Sequence, residues 1–132
     1  MRIDTNGIMI VYDITSRDSF IDIDKQMKGV KEYSPKYSVK ILIGNKCDEK
    51  AKREVTYEEG EEMASKYGMP FLETSAKTGH NVEKAFMLLL IKTMNRVEFA
   101  PIPVSLRKDQ KEIKRAVFKP AKQSLLSRCI CF

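Results

Sequence analysis

Val39-Lys40-Ile41-Leu42-Ile43-Gly44-Asn45-Lys46-Cys47-Asp48 is the stretch that decides the fold of this 132-residue chain. Its first six residues are almost all apolar, as in a strand covered on both faces, and the four that follow are polar and turn-forming. The same sequence of events recurs twice. Gly7–Asp13 is an apolar run rich in β-branched and aromatic residues, and Pro70–Glu73 is a shorter one that leads into Thr74–Gly79. Between the runs the period changes. Phe20, Ile23, Met27 and Val30 recur at helical spacing, and Ser34-Pro35 stops that helix. Thr15 and Asp18 are spaced like a capping box at its start, with Asp18 in place of the usual Glu or Gln. Thr56 and Glu59 match that box more closely and open a second helix through about Tyr67, which Gly68 ends. The third helix spans about Val82 to Arg96, with Val82, Phe86, Leu89, Leu90, Thr93 and Met94 as its apolar stripe. Three alternations of strand and helix predict an α/β fold, a parallel sheet with crossover helices.

Composition narrows the class. The chain is 42% apolar and 32% charged, the balance of a folded globular protein. No run approaches the roughly 18 apolar residues of a membrane span, and no secretory leader is expected at Met1. Two of the three cysteines, Cys129 and Cys131, sit at the extreme end, which argues against a disulfide framework and for a reducing compartment. Eight of the 24 basic residues but three of the 18 acidic ones lie in residues 97–132. The formal charge of +6 therefore belongs to the tail, and a basic face for nucleic acid is not expected. Pro101, Pro103 and the mixed charges up to Pro120 read as a flexible linker or a poorly ordered amphipathic piece.

The two polar stretches that follow strands, Asn45–Asp48 and Glu73–Lys77, sit where open α/β sheets bind ligands, at the carboxyl edge. Their chemistry suits a guanine. The Asp48 carboxylate can accept from a ring N–H and an exocyclic amine together, an arrangement adenine does not offer. A backbone N–H at Ala76 can donate to the base oxygen. The aliphatic stems of Lys46 and Lys77 can cover the faces of a flat ring while their charges stay wet. Asn45 and Ser75 have the hydrogen-bonding capacity to hold the two loops in register. Either motif alone is compatible with a polar turn; the pair, with a crossover unit between, is far more specific.

Together these motifs resemble the base-recognition loops of small GTPases, and the closest likeness is to the Rab type. Val11-Tyr12-Asp13-Ile14-Thr15, Ser19-Phe20 and Asn81-Val82-Glu83-Lys84-Ala85-Phe86 add to it, and the resemblance runs over about residues 3–96. It implies the carboxyl-terminal part of a small GTPase (P-loop NTPase) fold in residues 1–97, followed by a basic variable tail in 98–132. It implies guanine binding by Asn45, Lys46, Asp48, Ser75, Ala76 and Lys77, with GTP or GDP as ligand and Mg²⁺ as its usual companion. It also implies a role in vesicle or membrane trafficking at the cytosolic face of a membrane, with a prenyl-binding chaperone, exchange factors and effectors as partners.

The departures are equally specific. None of the glycines opens a Gly-x-x-x-x-Gly-Lys-[Ser/Thr] loop, whose amides would cradle phosphates and whose hydroxyl would hold Mg²⁺. The switch Thr and water-positioning Gln of the family are missing as well, so no catalytic residue and no metal ligand is assigned, and hydrolysis is not expected. Asp4-Thr5-Asn6-Gly7 has the form of the family's Asp-x-x-Gly motif but runs straight into a strand, and reads as a turn. The family sheet would place its first strand beside Gly7–Asp13; without it, Ile8–Val11 is expected to be an open apolar edge.

The last four residues, Cys129-Ile130-Cys131-Phe132, fit a C-a-a-X box, and the terminal Phe favours a geranylgeranyl group. Cys131 in an aliphatic position and the Cys-x-Cys spacing leave open which cysteine carries the lipid. Lys108, Lys111, Lys114, Arg115, Lys119, Lys122 and Arg128 could supply attraction to an anionic leaflet. The leading expectation is thus a Rab-like GTP-binding protein tethered by a prenylated tail. The alternative is a catalytically dead, membrane-tethered interaction protein.

Overall fold

The computed structural model describes residues 5–97 and 129–131. Strand β1 (Gly7–Asp13) and strand β2 (Val39–Asn45) pair in parallel along their whole lengths, Gly7 opposite Val39 and Asp13 opposite Asn45. Strand β3 (Phe71–Glu73) joins the other side of β2, again in parallel. Helices α1 (Arg17–Tyr33), α2 (Tyr57–Lys66) and α3 (Val82–Val97) follow the three strands in turn. The predicted α/β architecture is therefore present, with strand limits close to those read from the apolar runs.

The period of two along β1 sorts its side chains into two cores. Ile8, Ile10 and Tyr12 join Phe20, Ile23, Met27 and Val30 of α1 and Ala64 of α2 on one face of the sheet. Met9 faces the other way and joins Val39, Ile41 and Ile43 with Ala85 and Leu89 of α3. Ile10, Ile23, Ile41 and Leu42 have no exposure at all, and each such side chain contributes about 1.5–3 kcal/mol by leaving water. Both faces of the sheet are covered, which is why its strands read as continuous apolar runs and not as alternating ones.

The helix ends show local chemistry deciding the boundaries. Thr56 caps α2 as the spacing predicts: its side chain accepts from the Glu59 N–H (3.2 Å), and the Glu59 carboxylate accepts from the Thr56 N–H (2.8 Å). At the other end Gly68 takes φ +64°, the Gly68 N–H donates to Ser65 and the Met69 N–H to Ala64, a Schellman stop. The start of α1 differs from the expectation. Its cap is Ser16, whose side chain accepts from the Ser19 N–H. Thr15 is consumed elsewhere, since its N–H and hydroxyl both donate to Asp13 Oδ1 (2.8 and 2.7 Å).

Two further expectations are corrected. In α3 the buried positions are Ala85 and Leu89, while Phe86, Leu90 and Met94 of the predicted stripe are exposed, as are Met87 and Ile91. The edge of β1 is not open either. Strand β4 (Cys129–Cys131) pairs with it antiparallel, Ile8 opposite Cys131 and Ile10 opposite Cys129, giving the order β3-β2-β1-β4. The side of β1 away from β2 is thus paired over Ile8–Ile10 by residues 129–131.

Of the proposed turn at Asp4–Gly7, Asp4 lies outside the described residues. Thr5 and Asn6 tie to the start of β2, where Ser38 Oγ donates to the Thr5 carbonyl (2.6 Å) and the Val39 N–H to the Asn6 carbonyl (2.8 Å). The basic linker, residues 98–128, and Phe132 also lie outside. No helix among the described residues is long and apolar enough to cross a membrane.

Candidate functional site

Because β1 and β2 end level, Asp13 and Asn45 stand side by side at the carboxyl edge, and the loop after β3 opens beside them. Lys46 leaves β2 with φ +67°, a left-handed turn that directs the chain across the edge. Its Nζ lies 2.6 Å from Asp13 Oδ2. Burial pushes the Asp13 carboxyl up, but the bonds from Lys46 and Thr15 outweigh it and hold the group below the usual carboxylate range.

Asn45 fastens the two loops. Its Oδ1 accepts from the Ala76 N–H (3.1 Å) and from Thr74 Oγ1 (3.3 Å). The backbones join as well: the Cys47 N–H donates to the Thr74 carbonyl (3.0 Å), and the Thr74 N–H to the Gly44 carbonyl (2.8 Å). Ser75, which has no exposed surface, donates its hydroxyl to Asp48 Oδ1 at 2.6 Å and accepts from the Thr78 N–H at 3.1 Å. That hydroxyl is the main reason the Asp48 carboxyl sits below its ordinary range. Asp48 itself is exposed, so it stands charged with lone pairs free of Ser75 and turned to solvent.

The loop after β3 closes on itself. The Ser75 N–H donates to the His80 carbonyl and the Gly79 N–H to the Ser75 carbonyl, and Gly79 and Asn81 both take positive φ. Asn81 Nδ2 donates to the Glu73 carbonyl at 3.0 Å. Beneath the loop, Arg53 grips Glu73 through two bonds of 2.6 and 2.8 Å and donates to the Val55 carbonyl at 3.0 Å. Burial raises the Cys47 thiol, which packs against the core as an inert side chain.

All six residues singled out in the sequence come together here. Asn45 and Ser75 fasten the loops, Asp48 presents a carboxylate, and Lys46, Ala76 and Lys77 are exposed around it. In this structure the Ala76 N–H is engaged by Asn45, so donating to a base oxygen would require it to be shared or released. Asp13, Glu73, Thr74 and Asn81 lie within the quoted motifs, but their positioning parts emerge only in the folded chain. Arg53, which clamps Glu73, lies in none of those motifs. Among the described residues no group of three or more His, Cys, Asp or Glu side chains is arranged to hold a metal ion.

Residues 1–95 match the family model described as the Ras family. The chain is 43% identical over 96 residues to the Ras-related protein RIC1 of Oryza sativa subsp. japonica, covering 73% of this chain and 48% of that protein. It is 39% identical over 125 residues to the Ras-related protein Rab-8 of Diplobatis ommata, covering 93% and 60%. The Ras-related protein Rab-26 of Rattus norvegicus is 41% identical over 98 residues, covering 74% and 38%. The chain therefore spans about half the length of the curated relatives it matches.

Proposed function

Since the chain belongs to the Ras family of small GTPases and is of Rab type, we propose that it recognises a guanine base and serves vesicle or membrane trafficking. The observation that carries this reading is the Ser75–Asp48 bond: a fully buried hydroxyl holds one oxygen of an exposed carboxylate and leaves the rest of it for a ligand. Hydrogen bonds to a charged group contribute about 1.5–3 kcal/mol each, so two accepted by Asp48 from the base discriminate guanine from adenine. Lys46 and Lys77 supply stems for the ring faces, and Asn45 keeps the Ala76 amide at the rim. GTP or GDP is the natural carrier of that base. The residues of this chain bind and orient the base, and none of them is assigned to phosphate transfer or to Mg²⁺.

Calorimetric titration of the purified chain with guanosine, GDP and adenosine tests the reading. Guanosine and GDP should bind about equally, and adenosine not at all. Absence of saturable guanosine binding would favour the second reading, a membrane-tethered interaction protein without nucleotide. A GDP affinity far above that of guanosine, and dependent on Mg²⁺, would mean that a phosphate site exists after all.

The tail completes the proposal: residues 98–132 act as a basic variable tail that is prenylated at Cys129 or Cys131 and holds the domain at a cytosolic membrane face. A prenyl-binding chaperone, exchange factors and effectors are the corresponding partners. Intact-mass measurement of the chain isolated from cells decides the lipid, because a terminus that retains Phe132 and carries no added mass rules it out.

A further inference from the structure

At the end of the sheet opposite the base loops lies a cavity of about 470 Å³ whose charged lining, among the described residues, is cationic: Lys36, Lys40, Lys92 and Arg96. Ser38 and Asn95 add polar groups, and no carboxylate among the described residues lines it. Three elements converge there. Lys40 comes from the start of β2, Lys36 from the turn before it, and Lys92 and Arg96 from the last two turns of α3. The cations are not drawn off by acids of the described residues, since none of the five ion pairs there includes them. Arg96 donates to the Tyr37 carbonyl (2.6 Å) and Lys40 to the Ser38 carbonyl (3.2 Å), which fixes both heads without neutralising either. Asp24 is taken up by Lys66 and by the hydroxyl of Tyr67, another lining residue. Burial, followed by the nearby charges of Arg96 and Lys31, pushes the Lys40 ammonium below its ordinary range. Like charges held together in a concave site at this cost are the arrangement that a multiply charged anion relieves.

Position decides which anion. The base loops leave the carboxyl ends of β2 and β3, and the cavity sits about 20 Å away at the start of β2, since a strand advances roughly 3.3 Å per residue. α3 ends at Val97 beside the cavity and hands over to residues 98–132, where most of the chain's net charge lies. The cavity thus lies at the end of the domain where α3 ends.

We propose that this cavity is a binding site for the headgroup of an anionic membrane phospholipid carrying more than one phosphate, and that it sets this end of the domain against the bilayer. The proposal uses the membrane setting given above but is independent of guanine recognition and of the lipid on the tail. Lys40 and Arg96 are fixed by their carbonyl bonds, and Lys36 and Lys92, both exposed, add two more cations for the phosphates.

The test uses the purified, unlipidated full chain and phosphatidylcholine vesicles containing either a bisphosphorylated inositol lipid or phosphatidylserine at equal surface charge. Each cation near an anionic surface is expected to change affinity about fivefold, so Lys40→Gln with Lys92→Gln should weaken binding to the inositol-lipid vesicles about 25-fold. Removing two tail charges by Lys119→Gln with Lys122→Gln should weaken both vesicle types alike and leave the preference for the phosphorylated lipid intact. A cavity variant that keeps the parent's preference for the phosphorylated lipid, or a parent with no preference between the vesicles, would overturn the site in favour of diffuse charge. Soluble inositol trisphosphate binding as tightly as the vesicles would overturn the membrane assignment. Because the cavity lies away from Asn45 and Asp48, guanosine affinity should be the same in the groove variant and the parent. That comparison, with matching thermal melts, separates a lost site from a damaged fold. A failed vesicle result leaves the guanosine titration to be judged on its own.

Discussion

The clamp beneath the base loop is the feature whose removal is easiest to quantify. Arg53 and Glu73 meet in two charge-assisted bonds of 2.6 and 2.8 Å, with side-chain exposures of only 25% and 13%. A solvent-exposed pair of this kind contributes about 0–1 kcal/mol, whereas removing one partner of a fully buried pair costs about 3–5 kcal/mol. At these exposures Arg53→Met should fall between the limits, at about 2–3 kcal/mol, because it strands the Glu73 carboxylate under the loop and frees the Val55 carbonyl. Glu73→Gln, which keeps one acceptor, should cost about 1–2 kcal/mol, and the double variant about 1.5 kcal/mol less than the sum of the two. Urea unfolding followed by far-UV circular dichroism reads this directly. With a slope of about 1 kcal/mol per molar, Arg53→Met should lower the midpoint by about 2 M. The Glu73 carbonyl also accepts from Asn81, so guanosine affinity should fall in step with stability. A coupling below about 0.5 kcal/mol would refute the reasoning, because the pair would then behave like an ordinary surface contact.

Four other outcomes are expected. Asp48→Asn should cost guanosine about 1.5–3 kcal/mol and shift preference towards a base with an oxygen in place of the exocyclic amine; unchanged guanosine affinity would remove Asp48 from the site. A Cβ at Gly60 would collide with the Tyr12 hydroxyl and the Phe71 ring, so Gly60→Ala should lower stability by about 1–3 kcal/mol in thermal melts. Tyr12→Phe, which removes a buried hydroxyl lacking a partner, should recover part of that loss, and no recovery would mean that the ring edge is the real obstacle. The Glu59 carboxyl is held at about 2 instead of 4.5, chiefly by Arg17 and then by the Thr56 N–H, so its contribution is complete above pH 4.5 and drains away towards pH 2. Glu59→Gln should therefore flatten the fall of the urea midpoint across that window, and an equally steep fall would assign it to other carboxylates. Deleting residues 129–132 should speed hydrogen exchange at those amides of Ile8–Ile10 that face β4 while leaving β2 unchanged; no change would refute the edge pairing.

The sequence disclosed most of the fold because strands covered on both faces have an unmistakable composition. Ile8–Tyr12 and Val39–Gly44 could hardly be anything else, and the Thr56 box and Gly68 stop are complete within a few residues. α3 shows the limit of periodicity. Spacing marks which positions are apolar, but packing against the sheet decides which of them are covered. α3 lies over β1 and β2, and only the row that meets Met9, Val39, Ile41 and Ile43, which is Ala85 and Leu89, is enclosed. Phe86, Leu90 and Met94 lie round the helix from it. β4 was illegible for another reason: Cys129-Ile130-Cys131 is too short to state a period, and nothing local names β1 as its partner. In the site, the motifs gave residue types, but the ties of Asn45 to Ala76 and Asp48 to Ser75 exist only once two loops 27 to 31 residues apart are folded together.

In the proposed function those ties make base selection separable from phosphate chemistry. Every bond that shapes the site begins and ends between Asp13 and Asn81. Lys46 meets Asp13, Asn45 meets Thr74 and Ala76, Asp48 meets Ser75, and Arg53 meets Glu73. The strands that carry these residues are held by their own register and by two cores that need nothing beyond residues 5–97 among the described contacts. On the proposed reading, a carboxylate fixed by a buried hydroxyl chooses guanine whether or not a phosphate is gripped elsewhere. On this argument, affinity for guanosine measures the site built by residues 13–81, and any additional affinity for GDP measures something outside it.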